Sequence, residues 1–374
     1  MTDSAPQIRF CSGRDGVRLA YATCGSGPPL VWVGHPISHL RFDWGSSVWR
    51  HWLTLLAGRN TLITYNLRGC GLSDRQDVEY SFDRFTEDLG AVVDAAGAQR
   101  FALFGISGGG ATAVAYSARH PQNVTHLVLH GSFSRGRLAR QQASQLIEDT
   151  ELNLKAIELG FESNNPGMRQ FFATIRMPDG SAEQHRAFAE LIRLATTPAN
   201  YCKILRTYFH ADVQDLAPLV RCPTIVFHSC EDGVAPFDEG RALAALIPGA
   251  DFVPLDSRNH LLMEDEPAWK QLVTVLEKFL ATSQGGQDAV QPLFNGLTAR
   301  EHDVLELVAQ GLDNTTIGTR LGISERTVRN NVYIIFSKLG VTTRAEAIVG
   351  AREAGFGRGQ PAIASAPKSR PPHR

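Results

Sequence analysis

Gly105-Ile106-Ser107-Gly108-Gly109 sets a serine hydroxyl in a run of glycines. An apolar stretch, FALF, precedes it, and the small-residue run GGATAVAYSAR follows. Strand, sharp turn, helix is the context that exposes a serine at an elbow, where its oxygen can attack a carbonyl carbon. The turn needs small neighbours, and Gly105, Gly108, Gly109 and Gly110 supply them. Serine alone is a weak nucleophile; it needs a base, and the base needs an orienting acid. Two later apolar runs end in such groups. TIVFH leads into SCEDGVAP, which offers Asp232, and DFVPL leads into DSRNHLLMEDEP, which offers His260. Glu231 is the alternative acid. The other histidines lie early in the chain, in the helical insert or inside elements, and have weaker claims. The competing reading is a glycine-rich turn carrying an idle serine.

These residues need a scaffold. Short apolar runs at 17–23, 30–33, 61–65, 101–104, 124–130, 224–228 and 251–255 read as strands. Helical stretches lie between them, among them 82–96, 109–119, 236–247 and 267–281. The alternation predicts a mostly parallel sheet covered on both faces, with Ser107, Asp232 and His260 at its C-terminal edge. Between residues 133 and 216 the alternation stops. That insert holds long helical patterns with Phe161, Met168, Phe171, Phe172, Met177, Phe188, Tyr201, Tyr208 and Phe209. It predicts a helical cap whose aromatics mostly pack on one another while a few line a pocket.

This part of the chain resembles the α/β-hydrolase fold family over residues 8–281. Arg68-Gly69-x-Gly71-Leu72-Ser73-Asp74, His120-Pro121-x-x-Val124 and the Pro218…Pro223-Thr224-Ile225-Val226 approach to Asp232 carry the resemblance. It implies an oxyanion hole with one N–H from Gly108 and another from the loop Gly34-His35-Pro36-Ile37. If Gly34-His35 align with the family's His-Gly pair, the donor position is Pro36, which has no N–H; a shift of one residue makes it Ile37. Loss of one such donor costs roughly 10²–10³ in rate.

A second organisation follows. Thr298 and Glu301 form a capping box ahead of an apolar stripe of Val304, Leu305, Leu307 and Val308, and Gly311 ends that helix. A short helix with Ile317 and Leu321 inward, a turn at Gly322-Ile323 and an N-cap at Ser324 come next. A third helix over about 325–338 buries Val328, Val332, Ile335 and Leu339, and Thr343 with Glu346 opens a fourth. Its outer face carries Arg326, Thr327, Arg329, Asn330, Tyr333 and Lys338. Arg and Asn suit guanine and adenine edges; Thr, Lys and outer Arg suit phosphates. From Arg320 to Arg352 six Lys or Arg, Arg344 among them, face two Asp or Glu. The competing reading is a small helical module that contacts only protein.

Leu297-Thr298-x-Arg300-Glu301, Gly311, Asn314, Ile317, Ile323-Ser324, Thr327-Val328-Arg329 and Lys338-Leu339-Gly340-Val341 resemble the LuxR-type (NarL/FixJ-like) helix-turn-helix family. Asn331 departs from it, standing where a His is usual. The resemblance implies a homodimer on an inverted repeat of double-stranded DNA, with bases read from Arg329, Asn330 and Tyr333. The whole arrangement resembles LuxR-family regulators that carry an N-terminal hydrolase domain.

At 374 residues the chain has room for two domains, and a net charge of −1 puts no global basic footprint on it. The expected division is a hydrolase-like sensor at 1–281, a linker at 282–293, the DNA-binding domain at 294–356 and a disordered, mildly basic tail at 357–374. The N-terminus has no signal-peptide pattern and no apolar run approaches a spanning length of ~20 residues, which predicts no membrane association. The six cysteines (Cys11, Cys24, Cys70, Cys202, Cys222, Cys230) show no C-x-x-C spacing and read as reduced thiols of a cytoplasmic protein. No cofactor or metal motif is present. Together these features predict a ligand-responsive transcription regulator whose hydrolase-fold domain binds a small ester, amide, lactone or similar carbonyl compound. Slow hydrolysis of that ligand refines this reading. The alternative is a working serine hydrolase with an appended DNA-binding domain, and the residues leave turnover open.

Overall fold

The computed structural model describes residues 6–35, 37–76, 78–140, 144–162, 166–288, 297–339, 341, 343–353 and 356–357. The chain forms two compact units, one up to Phe279 and one from Leu280.

The first unit is built on an eight-stranded sheet of order β1-β2-β4-β3-β5-β6-β7-β8. The strands are β1 (Gln7–Ser12), β2 (Arg18–Cys24), β3 (Pro29–Val33), β4 (Thr61–Tyr65), β5 (Phe101–Ile106), β6 (Val124–His130), β7 (Thr224–Ser229) and β8 (Asp251–Leu255). β1 and β2 pair antiparallel, β2 joins β4 antiparallel, and β3 to β8 run parallel. Seven of the strands are the expected apolar runs within a residue or two. β1 is the addition: it lies at the sheet edge, exposed except at the partly buried Ile8 and Cys11, which do not share one face, so no apolar period marks it.

β5 and β7 are buried at every position, as parallel strands with both faces covered must be. The helices are α1 (Arg50–Ala57), α2 (Phe82–Ala96), α3 (Gly108–Arg119), α4 (Ser144–Glu162), α5 (Pro166–Arg176), α6 (Ala182–Ala195), α7 (Pro198–His210), α8 (Phe237–Leu246) and α9 (Pro267–Asp288). Side-chain alternation divides the core. Val31 and Val33 of β3 join Leu103, Leu127, Leu129 and Val226 under α2, α3 and α8. Trp32, between them, turns to the other face, where Trp52, Phe104 and Trp269 pack edge to face, Trp52 and Trp269 with ring centres 4.6 Å apart. α4 to α7 occupy the insert expected to form the cap. α9 runs on to Asp288, into the small polar stretch expected to be a linker; no proline interrupts that segment before Pro292.

Arg68 ties the lower part of this unit together. Its side chain is fully buried and forks onto Asp88 of α2 at 2.7 Å through both Nε and Nη2. It also reaches Asp15, in the turn between β1 and β2, at 2.7 Å, and the Glu79 carbonyl at 3.0 Å.

The second unit has helices Ala299–Ala309, Asn314–Leu321, Glu325–Leu339 and Arg344–Glu353. Its core is the one the apolar stripes predict: Val304, Leu305, Leu307, Val308, Ile317, Val328, Val332 and Ile335 are all buried. The Thr298–Glu301 capping box forms with both hydrogen bonds. Asp313 caps the second helix through the Thr316 N–H at 2.7 Å, and Gly322 closes it at φ 63°. The side chains of Leu339 and Glu346, and most of the 357–374 tail, lie outside the described residues.

Candidate functional site

Ser107 stands between the end of β5 and the start of α3. With φ 55° and ψ −130° it is the one non-glycine residue with positive φ among the described residues. Such a conformation costs on the order of 1–3 kcal/mol and persists only where neighbours over-determine it. They do so here. The Ser107 N–H donates to the His130 carbonyl at 3.0 Å, and its own carbonyl accepts from Gly110 N–H at 3.0 Å. A Cβ on Gly109 would sit 2.3 Å from the Val33 carbonyl oxygen, and one on Gly110 would meet Ser132 Oγ. Both glycines are therefore dictated by the close approach of α3 to the strand ends.

The loops after β7 and β8 bring Asp232 and His260 together. His260 Nδ1 lies 2.7 Å from Asp232 Oδ2. Asp232 Oδ1 accepts the N–H groups of Val234 and Ala235 at 2.8 and 2.9 Å. Burial pushes the Asp232 carboxyl up, but the His260 charge and hydrogen bond, with His228 and Ala235, outweigh it and hold the group below its ordinary value. Glu231, the alternative acid, is exposed, and its backbone N–H pairs with Ser257. With Nδ1 committed to the carboxylate, Nε2 is the nitrogen that can take a proton. That Nε2 is buried and has no hydrogen-bond partner among the described residues. Room for the ring depends on Gly131, at φ 55°, where a Cβ would come within 2.8 Å of His260 Cε1.

Two further histidines, which sequence reasoning passed over as element-internal, brace this pair. His130 Nε2 contacts the His260 carbonyl at 2.9 Å, and burial pulls its pKa down to about 3. His228 Nε2 lies 2.9 Å from the Ala235 carbonyl. Strand-end histidines in a parallel sheet were the available signal.

Gly108 opens α3, so its N–H belongs to the first turn, which has no partner inside the helix. Tyr208 of α7 covers it: a Cβ on Gly108 would touch the tyrosine ring at 2.7 Å. In the loop after β3, Pro36 lies outside the described residues. The Ile37 N–H points at His35 Nδ1 at 3.1 Å, within its own loop. On the other side of that ring, Arg176 Nε stands 3.3 Å from His35 Nε2. Burial first, then the charges of Arg176 and His260, hold His35 well below its usual pKa, so it is neutral. Of the cap aromatics and methionines, Phe172, Met177, Phe188, Tyr201 and Tyr208 are buried and Phe171 is exposed; the side chains of Phe161 and Met168 are outside the described residues.

The same loop continues to Asp43, whose Oδ2 accepts the His39 N–H at 3.0 Å while Oδ1 has no partner among the described residues. Burial raises its pKa to about 8. The folded protein thus holds a proton that the unfolded chain releases near pH 4, and stability is lost as pH rises from there through about 8. Asp43→Asn removes this loss. In thermal melts the variant gains on the wild type as pH goes from 5 to 8.5; a gap that does not widen with pH refutes the assignment.

In the second unit the side chains of Arg326, Thr327, Arg329, Asn330 and Tyr333 share the exposed side of Glu325–Leu339, Tyr333 being 76% exposed. Ser324 Oγ caps that helix through the Thr327 N–H at 3.1 Å. Arg329 pairs with Glu325 at 2.7 Å. Asn331, at the departing position, donates to the Thr327 carbonyl at 2.8 Å, a contact within its own helix. Two residues expected on the DNA face also bond within the unit. Lys338 Nζ bonds both Glu301 carboxylate oxygens, at 2.7 and 3.0 Å, and Arg344 bonds Asn314 Oδ1 at 3.0 Å and the Leu312 carbonyl. Each joins two helices across the fold.

Comparison with known proteins agrees with both units. The family described as alpha/beta hydrolase fold matches residues 39–267, and bacterial regulatory proteins, luxR family, match residues 295–351. The chain belongs to the α/β-hydrolase fold family and carries a C-terminal LuxR-type helix-turn-helix domain. It is 26% identical to AB hydrolase superfamily protein YisY of Bacillus subtilis (strain 168) over 259 residues, 67% of this chain and 91% of that protein. Over 62 residues, 17% of this chain and 31% of the relative, it is 47% identical to the transcriptional regulatory protein DesR of the same organism. Among solved structures, the esterase EaEST from Exiguobacterium antarcticum superposes with a TM-score of 0.61 at 20% identity, covering 74% of this chain and all of that one, which speaks for the fold alone. Among the described residues no helix is long and apolar enough to cross a membrane.

Proposed function

We propose that the protein is a ligand-responsive transcription regulator: the hydrolase-fold unit holds a small carbonyl compound beside Ser107, and occupancy changes how the helix-turn-helix domains of a homodimer engage an inverted repeat. The observation that carries this is the joining of a LuxR-type domain to a hydrolase-fold unit in which Asp232 holds Nδ1 of His260 and leaves a buried Nε2 without a hydrogen-bond partner among the described residues. A ligand shifts DNA affinity only by its differential affinity for the two states. The test is DNA binding and reporter output with and without candidate esters, amides and lactones; indifference to all of them refutes the regulator reading.

Slow destruction of the ligand fits the same site. Asp232 and His260 are poised as in a working hydrolase, whereas the Ile37 N–H faces its own loop and Pro36 has none to give. One missing oxyanion donor lowers turnover by roughly 10²–10³. That suits a receptor, whose ligand must stay long enough to bias a conformation.

On the output side, Arg329→Ala weakens binding to the cognate site by about 10–100-fold if Arg329 reads a base, with little change on random DNA. Gel-shift titrations on both DNAs check this, and equal loss on both reassigns Arg329 to a phosphate.

A further inference from the structure

The cap helix α5 ends in a cation with no carboxylate partner among the described residues. Arg176 is only 7% exposed. Its hydrogen-bond partners are all neutral: the Phe172 carbonyl at 3.1 Å, the Tyr201 hydroxyl at 2.9 Å and the His35 ring at 3.3 Å. No carboxylate pairs with it among the described residues. The acid that serves this end of the sheet, Asp232, is committed to His260 and to two backbone N–H groups. An arginine cannot shed its proton, and a buried charge without a partner is costly. The other buried arginine of this unit, Arg68, holds two carboxylates.

The place of Arg176 matters. Its carbonyl accepts the backbone N–H of His260 at 2.9 Å and that of Leu261 at 3.2 Å, so α5 is pinned to the loop that carries the base. Its guanidinium meets the loop after β3, on the side where an oxyanion would be held. Donors outnumber acceptors there. The two nitrogens of His35 face the Ile37 N–H and the Arg176 Nε–H, yet a neutral imidazole carries one N–H and can accept at only one of them. Trp49, its ring centre 6.2 Å from that of His35, buries an indole N–H with no partner among the described residues. Three N–H groups of Arg176 are used, of the five a guanidinium has. What this cluster of donors lacks is an anion with two acceptor oxygens.

We infer that the Ser107 site takes a carbonyl compound that also bears a carboxylate, and that Arg176 is the residue that selects it. The inference rests on the ligand-binding reading of the Ser107 site given above. A carboxylate matches the fork of a guanidinium and supplies the acceptors that the His35 loop and Trp49 want. The phenol of Tyr201, hydrogen-bonded to Nη2, and the Phe188 ring, 5.7 Å from Cζ, fix the plane of the guanidinium beforehand.

The test uses the full-length protein and two series of 4-nitrophenyl esters. One series is the half-esters of succinic, glutaric and adipic acid; the other is the neutral esters of the same chain lengths. Affinity is read by titration and, where turnover occurs, as kcat/KM. At the best chain length the wild type favours the charged ester by about 10–100-fold, the range expected for hydrogen bonds to a charged group. In Arg176→Met that ratio falls to about one. Arg176→Lys, which keeps the charge but not the fork, gives a ratio reduced by about threefold or more, and serves if the methionine variant does not fold. A wild type that takes both series equally, or a preference that survives both substitutions, overturns the inference while leaving the ligand-binding site standing. Failure to bind or hydrolyse either series overturns both.

Discussion

Ser107→Ala reduces turnover of an activated ester such as 4-nitrophenyl acetate to the uncatalysed background, a loss of about 10³-fold or more, and leaves DNA binding within about twofold. The size follows from the division of work proposed for Ser107, His260 and Asp232. Asp232 holds Nδ1 of His260 at 2.7 Å and fixes the tautomer, so the ring has one nitrogen, Nε2, with which to accept a proton. In the proposed mechanism, removing the hydroxyl leaves that base only water to activate, without the covalent step that splits the reaction in two. Removing the nucleophile alone costs about as much as removing a whole triad. Stopped or steady-state release of 4-nitrophenolate measures it. Unchanged turnover in the variant moves the chemistry away from Ser107. The same variant separates two modes of regulation. If the protein destroys its own ligand, Ser107→Ala prolongs the transcriptional response to a pulse of it; if it only binds, the response keeps its duration.

Arg68→Met destabilises the first unit by about 3–5 kcal/mol, the cost of stranding a buried ion-pair partner. Arg68 and Asp88 are both fully buried, and three separate stretches of chain (the turn before β2, the segment before α2, and α2 itself) meet on the one guanidinium. Without it Asp88 keeps a carboxyl in an apolar setting that already pushes its pKa up. All five tryptophans precede Phe279, so intrinsic fluorescence in urea reads this unit and not the helix-turn-helix. Substituting Asp88→Leu as well recovers part of the loss, since an apolar replacement of both partners leaves no charge unpaired. A single variant within 1 kcal/mol of wild type refutes a structural role for the pair.

Much of this was legible before any coordinates. The strands 61–65 and 124–130 have the bounds read from apolar runs, because parallel strands covered on both faces are buried nearly throughout; 251–255 also keeps its bounds, although it is a part-exposed edge strand. Ser107 announced itself by a run of four glycines around it, although only Gly105 answers a contact within the turn; Gly108, Gly109 and Gly110 make room for Tyr208, Val33 and Ser132, which the fold brings in from elsewhere. In the second unit, capping residues and an apolar period mark each helix from within its own span.

What stayed hidden is of another kind. β1 is exposed and takes its conformation from pairing with β2, not from a pattern of its own. Lys338 and Arg344 look like any cations near a DNA-facing helix; only the fold sets Glu301 and Asn314, some thirty residues away in sequence, against them. The choice of Asp232 over Glu231 turns on a one-residue difference in where a loop points.

The sequence by itself determined the two folds, the elbow serine and the identity of the helix that faces outward, since each is written in neighbouring residues whose sterics, caps and apolar periods act over a few positions. The tertiary structure alone decided which charges meet. Whether Arg68 finds two carboxylates, Lys338 a glutamate and Arg176 none among the described residues depends on segments far apart in the chain, and electrostatic pairing acts through space at a few ångströms, a distance that spacing along the chain does not encode.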